Sequence, residues 1–225
     1  MQLKTAPAPD SEIAFSISLL HLDLLVRQGS YSEALRTLEE YHAKLEEENS
    51  DIAQRVKLLT LKARILDKCG RPQKGFSVAI RAATIAHRAK LLPALWDAVG
   101  AVSNVLISLK EFAAAGQMLD SIMPQVLECE DCDLAARMYS LLVDSEMGQA
   151  GQAKPETPKR KEHLTKALEF IDRAFTEYSR IEDIQGQCEM MAKKATIMHL
   201  VGDLVLANDY AAKYLDLKRE AASNE

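Results

Sequence analysis

The sequence predicts an all-α protein, a right-handed superhelical solenoid of about five antiparallel helix pairs. The first observation is a recurring phrase of a small residue, a polar one, an aromatic or large one, two spacers and a second small residue. The closing small residues lie at positions 34, 75, 115 and 207, so the steps between them are 41, 40 and 92. A period of about 40 residues is typical of stacked helical hairpins. The second observation is composition, because abundant Ala, Leu, Lys and Glu favour helices, and no alternating β-branched run predicts a strand.

Each copy of the phrase predicts a turn between two helices. The opening glycine suits the residue after a helix end, which often adopts a left-handed conformation. The closing Ala or Gly lies one turn into the next helix, where a small side chain lets the two helices approach closely. The residues that carry this signature are Gly29, Tyr31, Ala34, Gly70, Gly75, Phe112, Ala115, Gly202 and Ala207.

The copies of the phrase divide the chain into segments. We expect a flexible tail over residues 1–11, a repeat region over 12–222 and a frayed end at 223–225. Pro124 is expected to stop or kink the second helix of the third pair. The five helix pairs are predicted at 12–48, 52–90, 92–129, 134–179 and 182–222.

The step of 92 residues equals two periods and an insertion of about a dozen residues. This insertion predicts an exposed loop over 148–160 in the fourth pair, and exposed loops often carry regulatory or recognition sites. Within it, Thr157-Pro158-Lys159-Arg160 matches the preference of cyclin-dependent kinases. Thr157 is therefore a candidate phosphorylation site.

Charge and hydropathy exclude two classes of partner. The 28 basic and 33 acidic residues are well mixed and give a net charge of −5, so no broad basic surface is available for nucleic acid. No apolar stretch is long enough to span a bilayer, and the N-terminus lacks a signal-peptide core. These features predict a soluble intracellular protein with neither a nucleic-acid nor a membrane partner.

The sequence shows no catalytic constellation. It contains no phosphate-binding loop, no H-E-x-x-H and no G-x-S-x-G motif. Cys129 and Cys132 form a C-x-x-C, but no second Cys or His pair follows at zinc-finger spacing, and the two acidic residues between them disfavour a reactive thiolate. We therefore expect a protein that is not an enzyme and has no catalytic residue, metal, cofactor or small-molecule substrate.

Trp96, the single tryptophan, has two interpretations. Tryptophan is enriched among the residues that dominate binding to a partner. A lone Trp among Leu and Val residues at helical spacing also fits the core, and this is the more common use.

Three stretches of the sequence are more specific for one protein family than the recurring phrase is: residues 80–96, 109–115 and 187–198. The phrase with its flanking helices is similar to the tetratricopeptide repeat (TPR), with a unit longer than the usual ~34 residues. Together with the three stretches, it resembles the C-terminal region of subunit 5 of the anaphase-promoting complex, in a fungal form. The resemblance covers roughly residues 13–220.

The resemblance implies a non-catalytic scaffold in the platform of this cullin–RING ubiquitin ligase, which controls mitotic progression. The expected partners are the ligase's other TPR, scaffold and cullin subunits, and the expected location is the nucleus and cytoplasm. Chains of this family are longer, with a further helical domain and more repeats, so the present sequence corresponds to a part of such a chain.

An independent TPR adaptor is the alternative. It would bind a short peptide or the C-terminal tail of a chaperone, motor or signalling partner in a groove. Repeats that bind acidic C-termini carry clustered Lys, Arg and Asn residues on their first helices, whereas Asn104 and Lys62 are isolated here. This pattern favours the scaffold.

Overall fold

The computed structural model describes residues 9–47 and 51–223, and in that part of the chain all regular structure is α-helical. The all-α prediction is confirmed, because these residues form ten helices and no strand. The helices are α1 (Pro9–Arg27), α2 (Tyr31–Glu47), α3 (Ile52–Lys68), α4 (Pro72–Arg88), α5 (Leu92–Ser108), α6 (Phe112–Glu128), α7 (Cys132–Gln152), α8 (Pro158–Arg180), α9 (Ile184–Val201) and α10 (Leu204–Ser223).

The short turns between helices share one backbone geometry. A residue in the middle of each turn has a positive φ, and in five of the seven turns the amide after it donates to a carbonyl five residues back, as from Ser30 to Leu25 at 2.9 Å and from Leu91 to Ala86 at 3.0 Å. This hydrogen bond defines the Schellman motif, which closes a helix C-terminus. The left-handed residue is glycine in some turns and a charged residue in others: Gly29, Gly70, Lys90, Lys110, Glu130, Glu182 and Gly202.

Helices α3 to α6 follow a regular register. Each has 17 residues, and equivalent helices begin 40 positions apart, at Ile52 and Leu92 and at Pro72 and Phe112. The period inferred from the recurring phrase therefore corresponds to one helix pair.

The predicted loop over 148–160 is shorter in the structure. Helix α7 has 21 residues and extends to Gln152, and α8 has 23 and begins at Pro158, so the inserted residues lie mainly in longer helices. Side-chain contacts explain the extension: the ring of Phe112 packs on Gly148, and Gln152 Nε2 donates to the carbonyl of Lys110 at 3.2 Å.

Other predicted boundaries also move. Helix α1 begins at Pro9, so the last residues of the predicted tail are helical, while residues 1–8 lie outside the described part. Helix α6 continues past Pro124 to Glu128, so this proline does not stop the helix. The start of the fourth pair moves from 134 to Cys132, where the Asp131 carboxylate caps α7 by accepting from the Leu134 amide at 3.0 Å.

The chain forms two compact units, Met1–Ser108 and Leu109–Glu225. In the first unit, α1, α2 and α3 share one apolar cluster, and α3, α4 and α5 share another. In the second unit, α6 to α9 supply the buried apolar side chains. The first cluster consists of Leu22, Leu25, Ala34, Leu38, Leu58 and Ile65, and the second of Val56, Leu59, Ala82, Ala86, Leu95 and Ala98.

Candidate interaction surfaces

Polar side chains tie α3 to α5 in the first unit. The Arg64 guanidinium contacts the Asp97 carboxylate at 2.6 Å. One oxygen of Asp67 accepts hydrogen bonds from Asn104 and from Ser108, both at 2.8 Å. Burial raises the pKa of the Asp67 carboxyl, although the two hydrogen bonds act in the opposite direction. These contacts fix two helices of neighbouring pairs against each other.

Two residues relevant to the adaptor alternative are engaged within the chain. The Asn104 amide is bound to Asp67, and the Lys62 ammonium contacts Glu39 of α2 at 3.0 Å. A groove that grips a free carboxylate needs such donors to face the ligand. Asn104 and Lys62 already make contacts within the chain.

Trp96 is partly buried at the start of α5. It packs against the second apolar cluster of the first unit, where Leu95 and Ala98 are its buried neighbours. This position favours the interpretation of Trp96 as a core residue.

In the second unit, Lys193 of α9 joins two helices by charge. Its ammonium contacts Asp144 of α7 and Glu189 of its own helix, both at 2.7 Å, and donates to Ser140 Oγ at 3.2 Å. Burial raises the pKa of the Asp144 carboxyl, and Lys193 opposes this shift. A fully engaged lysine of this kind is a structural tie between neighbouring pairs.

Helices α7 and α8 are joined by a buried polar pair. The Nδ1 atom of His163 lies 2.6 Å from Glu146 Oε2, and both side chains are almost fully buried. Neither residue stands out in the sequence, because the helical period alone does not show that the two face each other.

The signature residues take three kinds of position. Gly29, Gly70 and Gly202 are the left-handed residues of their turns. The small residues Ala34, Gly75 and Ala115 are buried near the start of α2, α4 and α6, whereas Ala207 of α10 is only partly buried. Tyr31 is partly buried against the first apolar cluster, and Phe112 covers Gly148.

Gly75 marks a close approach between helices of the first unit. A Cβ atom at this position would lie 2.9 Å from the carbonyl oxygen of Ala63 in α3 and 3.5 Å from Val105 in α5. Distances this short leave little room for a side chain, so the small residue in the phrase is a packing requirement.

The described residues hold no group of three or more His, Cys, Asp and Glu side chains that could bind a metal ion. Cys129 is exposed at the end of α6, and Cys132 is partly buried at the start of α7; both are free thiols. A cleft of about 260 Å³ lies beside Tyr31 and Arg71, below the ~300–1,000 Å³ that small-molecule sites occupy. No helix in the described ranges is long and apolar enough to cross a membrane.

Thr157 is the N-cap of α8. Its hydroxyl accepts from the Arg160 amide at 3.3 Å and donates to the carbonyl of Lys154 at 2.8 Å. Pro158 occupies the first helical position, where its missing N–H removes no hydrogen bond. The candidate phosphorylation site is therefore partly exposed, at the junction of a five-residue loop, 153–157, and a helix.

Exposed apolar side chains surround the turn between α9 and α10. We call this set the turn patch, and it comprises Leu200, Val201, Leu204, Val205 and Leu206. The equivalent turn between α3 and α4 carries polar residues instead, among them Lys68, Gln73 and Lys74. The patch is therefore not required by the repeat. The difference between the equivalent turns is visible in the sequence, whereas the recurring phrase leaves its spacer residues unspecified.

A second exposed apolar surface lies on α1. Four side chains spaced by four, three and four residues point away from the first apolar cluster. We call this set the α1 stripe, and it consists of Ile13, Ile17, Leu20 and Leu24. Their helical spacing is the same as that of a core face, and an apolar stripe in a sequence does not show which face of a helix is covered.

The turns, the 40-residue register and the buried small residues together define a TPR-like repeat fold. No protein-family model and no curated protein matches the chain. Among solved structures, MamA from Desulfovibrio magneticus RS-1 is similar with a TM-score of 0.53 and 19% identity, covering 92% of this chain and 96% of that one. The likeness confirms the fold class.

Two further solved structures have the same architecture. BtubC from P. vanneervenii is similar with a TM-score of 0.63 and 14% identity, covering 92% of this chain and 80% of that one. A kinesin-light-chain-type protein with nearly identical TPR-like repeats from Podosopora anserina has a TM-score of 0.58 and 11% identity, covering 92% and 96%. At these identities the similarity concerns the fold, and the right-handed superhelix of the whole stack stays a prediction.

Proposed function

We propose that the chain is a non-catalytic scaffold that holds partner proteins through surface contacts. The observation that carries this proposal is the turn patch, an exposed apolar surface on a TPR-like helix pair. Contiguous exposed apolar residues on a protein surface mark interaction sites more often than chance. The repeat fold supports the same reading, because such repeats present extended surfaces for binding other proteins.

The chemistry of the turn patch indicates what binds there. Val205 is 73% exposed and Val201 is 59% exposed, and both are short β-branched side chains that lose little entropy on contact. Asp203, in the middle of the patch, uses its carboxylate to accept from the Leu206 amide at 3.0 Å. The remaining surface is apolar, so the partner would be an apolar face of another protein.

The assembly that we propose is the anaphase-promoting complex, with this chain as a platform subunit. The support is the sequence resemblance of residues 80–96, 109–115 and 187–198 to subunit 5 of that ligase. The proposed partners are its TPR, scaffold and cullin subunits, with mitotic ubiquitination as the biological process and the nucleus and cytoplasm as the location.

Affinity purification of the tagged chain from dividing fungal cells tests both parts of this proposal. The wild-type chain should recover the cullin and RING subunits, and the Val205→Glu variant should lose them because it places a charge in the contact. Ile80→Glu is the matched control, since Ile80 is an exposed apolar residue of α4 outside the patch.

The two parts fail separately in this experiment. Full recovery by Val205→Glu would exclude the turn patch as the docking surface. Wild-type protein that recovers neither the cullin nor the RING subunit would exclude the ligase assignment.

We also propose that phosphorylation of Thr157 regulates the loop between α7 and α8. A phosphate at the helix N-terminus can accept from the Arg160 amide in place of the hydroxyl, while the hydrogen bond to Lys154 is lost. Incubation with a cyclin-dependent kinase followed by mass spectrometry should place phosphate on Thr157. An unmodified peptide covering this residue after such treatment would contradict the proposal.

A further inference from the structure

Helix α1 is apolar on two opposite faces. Leu22 and Leu25 pack into the first apolar cluster, whereas the α1 stripe points outward. A helix that is apolar all round is typically covered on both sides. The exposed fractions of the stripe are 60% for Ile13, 61% for Ile17, 70% for Leu20 and 52% for Leu24.

The repeat register shows what the stripe is built to contact. Aligning α1 with α3 on the left-handed glycines of the following turns, Gly29 and Gly70, places Ile17 and Leu24 at the positions of Leu58 and Ile65. Leu58 and Ile65 are completely buried and pack against the preceding helix pair. When α1 is aligned with α9 on Gly29 and Gly202, Ile17 and Leu24 correspond to Met190 and Ile197. Met190 and Ile197 are also completely buried. The α1 stripe therefore occupies the positions at which the first helix of a pair packs against the preceding helix pair.

Helix α10 carries the complementary half of this interface. Aligned on Ala115 and Ala207, the buried residues Leu119 and Met123 of α6 correspond to Ala211 and Leu215 of α10. Ala211 and Leu215 are exposed. Leu119 and Met123 share a face of α6 with Phe112 and Gly116, which contact Gly148 and Ser145 of α7. We infer that this is the face through which the second helix of a pair meets the pair that follows it.

We propose that the α1 stripe of one molecule binds α10 of a second copy, so that the repeat register continues head to tail. In this arrangement Ala207 lies against Leu24 of the next molecule, as Gly75 lies beside Val105 within the chain. The charges at the edge of the stripe do not oppose the contact, because Arg27 and Asp23 pair at 2.7 Å.

The size of the surface predicts a weak association. Four half-exposed side chains and their neighbours bury less than the ~800 Å² per partner of a standard interface. The interface is heterologous, so each assembly keeps one free stripe and one free α10 and can extend. We expect a monomer at low micromolar concentration and longer species as the concentration rises.

Sedimentation velocity on two variants tests the head-to-tail arrangement. Leu20→Glu disrupts the α1 stripe and leaves the exposed face of α10 intact, whereas Leu215→Glu disrupts the face of α10 and leaves the α1 stripe intact. Each variant alone should remain a monomer of 25.0 kDa at every concentration. An equimolar mixture should form a species of about twice that mass and nothing larger, because each molecule then retains one complementary face.

Formation of this mixed species also shows that both variants are folded, because it requires the intact face of each. As a further control, Ile80→Glu should associate like the wild-type chain. Self-association of Leu215→Glu alone would overturn the proposal, since it would mean that two α1 stripes bind each other. A wild-type chain that stays monomeric at high micromolar concentration would overturn it as well.

Discussion

Gly148 lies under the ring of Phe112, and its missing side chain allows α7 to pass close to the start of α6. A Cβ atom at this position would come within 2.2 Å of the ring. Gly148→Ala should therefore destabilise the protein by about 1–3 kcal/mol through overpacking. Urea denaturation measured by circular dichroism gives the free energy of unfolding.

Gly151 provides the matched control for this substitution. It lies in the same helix, and a Cβ atom there would meet no atom within 4 Å. Gly151→Ala should stabilise the protein by about 0.5 kcal/mol, because alanine restricts the unfolded chain more than glycine does. Equal effects at the two positions would show that the Phe112 contact is unimportant.

Ala34 and Ala207 hold equivalent positions in the repeat but differ in burial. Ala34 is completely buried between α2 and its neighbours, whereas Ala207 is partly exposed on α10. Ala34→Leu should cost about 1–3 kcal/mol, and Ala207→Leu about 1 kcal/mol or less. Thermal melting measures both; a larger loss for Ala207→Leu would contradict the packing described here.

At the level of elements, the N-terminus of α8 depends on one hydroxyl. Thr157→Ala removes the acceptor for the Arg160 amide and should cost about 1 kcal/mol. Thr157→Ser keeps the hydroxyl and should preserve most of that stability. Chemical denaturation distinguishes the two variants, and an equal loss for both would mean that the threonine methyl, and not the cap, stabilises the helix.

The tie between α3 and α5 predicts a pH dependence. Because burial raises the pKa of Asp67 in the folded state, the native protein binds this proton more tightly than the unfolded chain. The contribution of Asp67 to stability therefore falls as the pH rises from the unfolded value near 3.8 through the raised native value. The Asp67→Asn variant has no carboxyl at this position and should not show this decrease. Its free energy of unfolding relative to the wild-type chain should therefore increase as the pH rises across the same interval.

Denaturant titrations at a series of pH values measure that difference. Asp97→Asn is the control on the other polar contact between the same helices, Arg64 with Asp97. A constant difference between Asp67→Asn and the wild-type chain at every pH would contradict the assignment.

A turn between helices is predictable from the sequence where it contains glycine. Gly29, Gly70 and Gly202 mark turns because their backbone conformation favours glycine directly. The extension of α7 to Gln152 was not predictable in this way. It depends on contacts to Phe112 and Lys110, which are distant in sequence.

The candidate surfaces were less predictable than the fold. The α1 stripe has the same spacing as a core face, and the register with Leu58 and Ile65 shows that equivalent positions elsewhere in the repeat contact a preceding helix pair.

At the scale of the whole molecule, burial is unevenly distributed along the repeats. Helix α7 carries buried residues on most of its faces, whereas none of the described side chains of α10 is buried. In a repeat protein each pair is stabilised mainly by its neighbours, so α10 should open far more often than α7.

Hydrogen exchange followed by mass spectrometry tests this gradient in dilute protein. Peptides from α10 should exchange completely before those from α7 begin to exchange. Protection of α10 equal to that of α7 at low concentration would contradict the expectation, and protection that appears only at high concentration would agree with head-to-tail association.

Four of the left-handed residues in the short turns are not glycine: Lys90, Lys110, Glu130 and Glu182. A side chain in this conformation costs about 1–2 kcal/mol, so the turn geometry there is imposed by the helices on either side. Replacing any one of these four residues by glycine should raise the thermal stability of the protein, because the glycine would relieve the backbone and leave every buried contact in place.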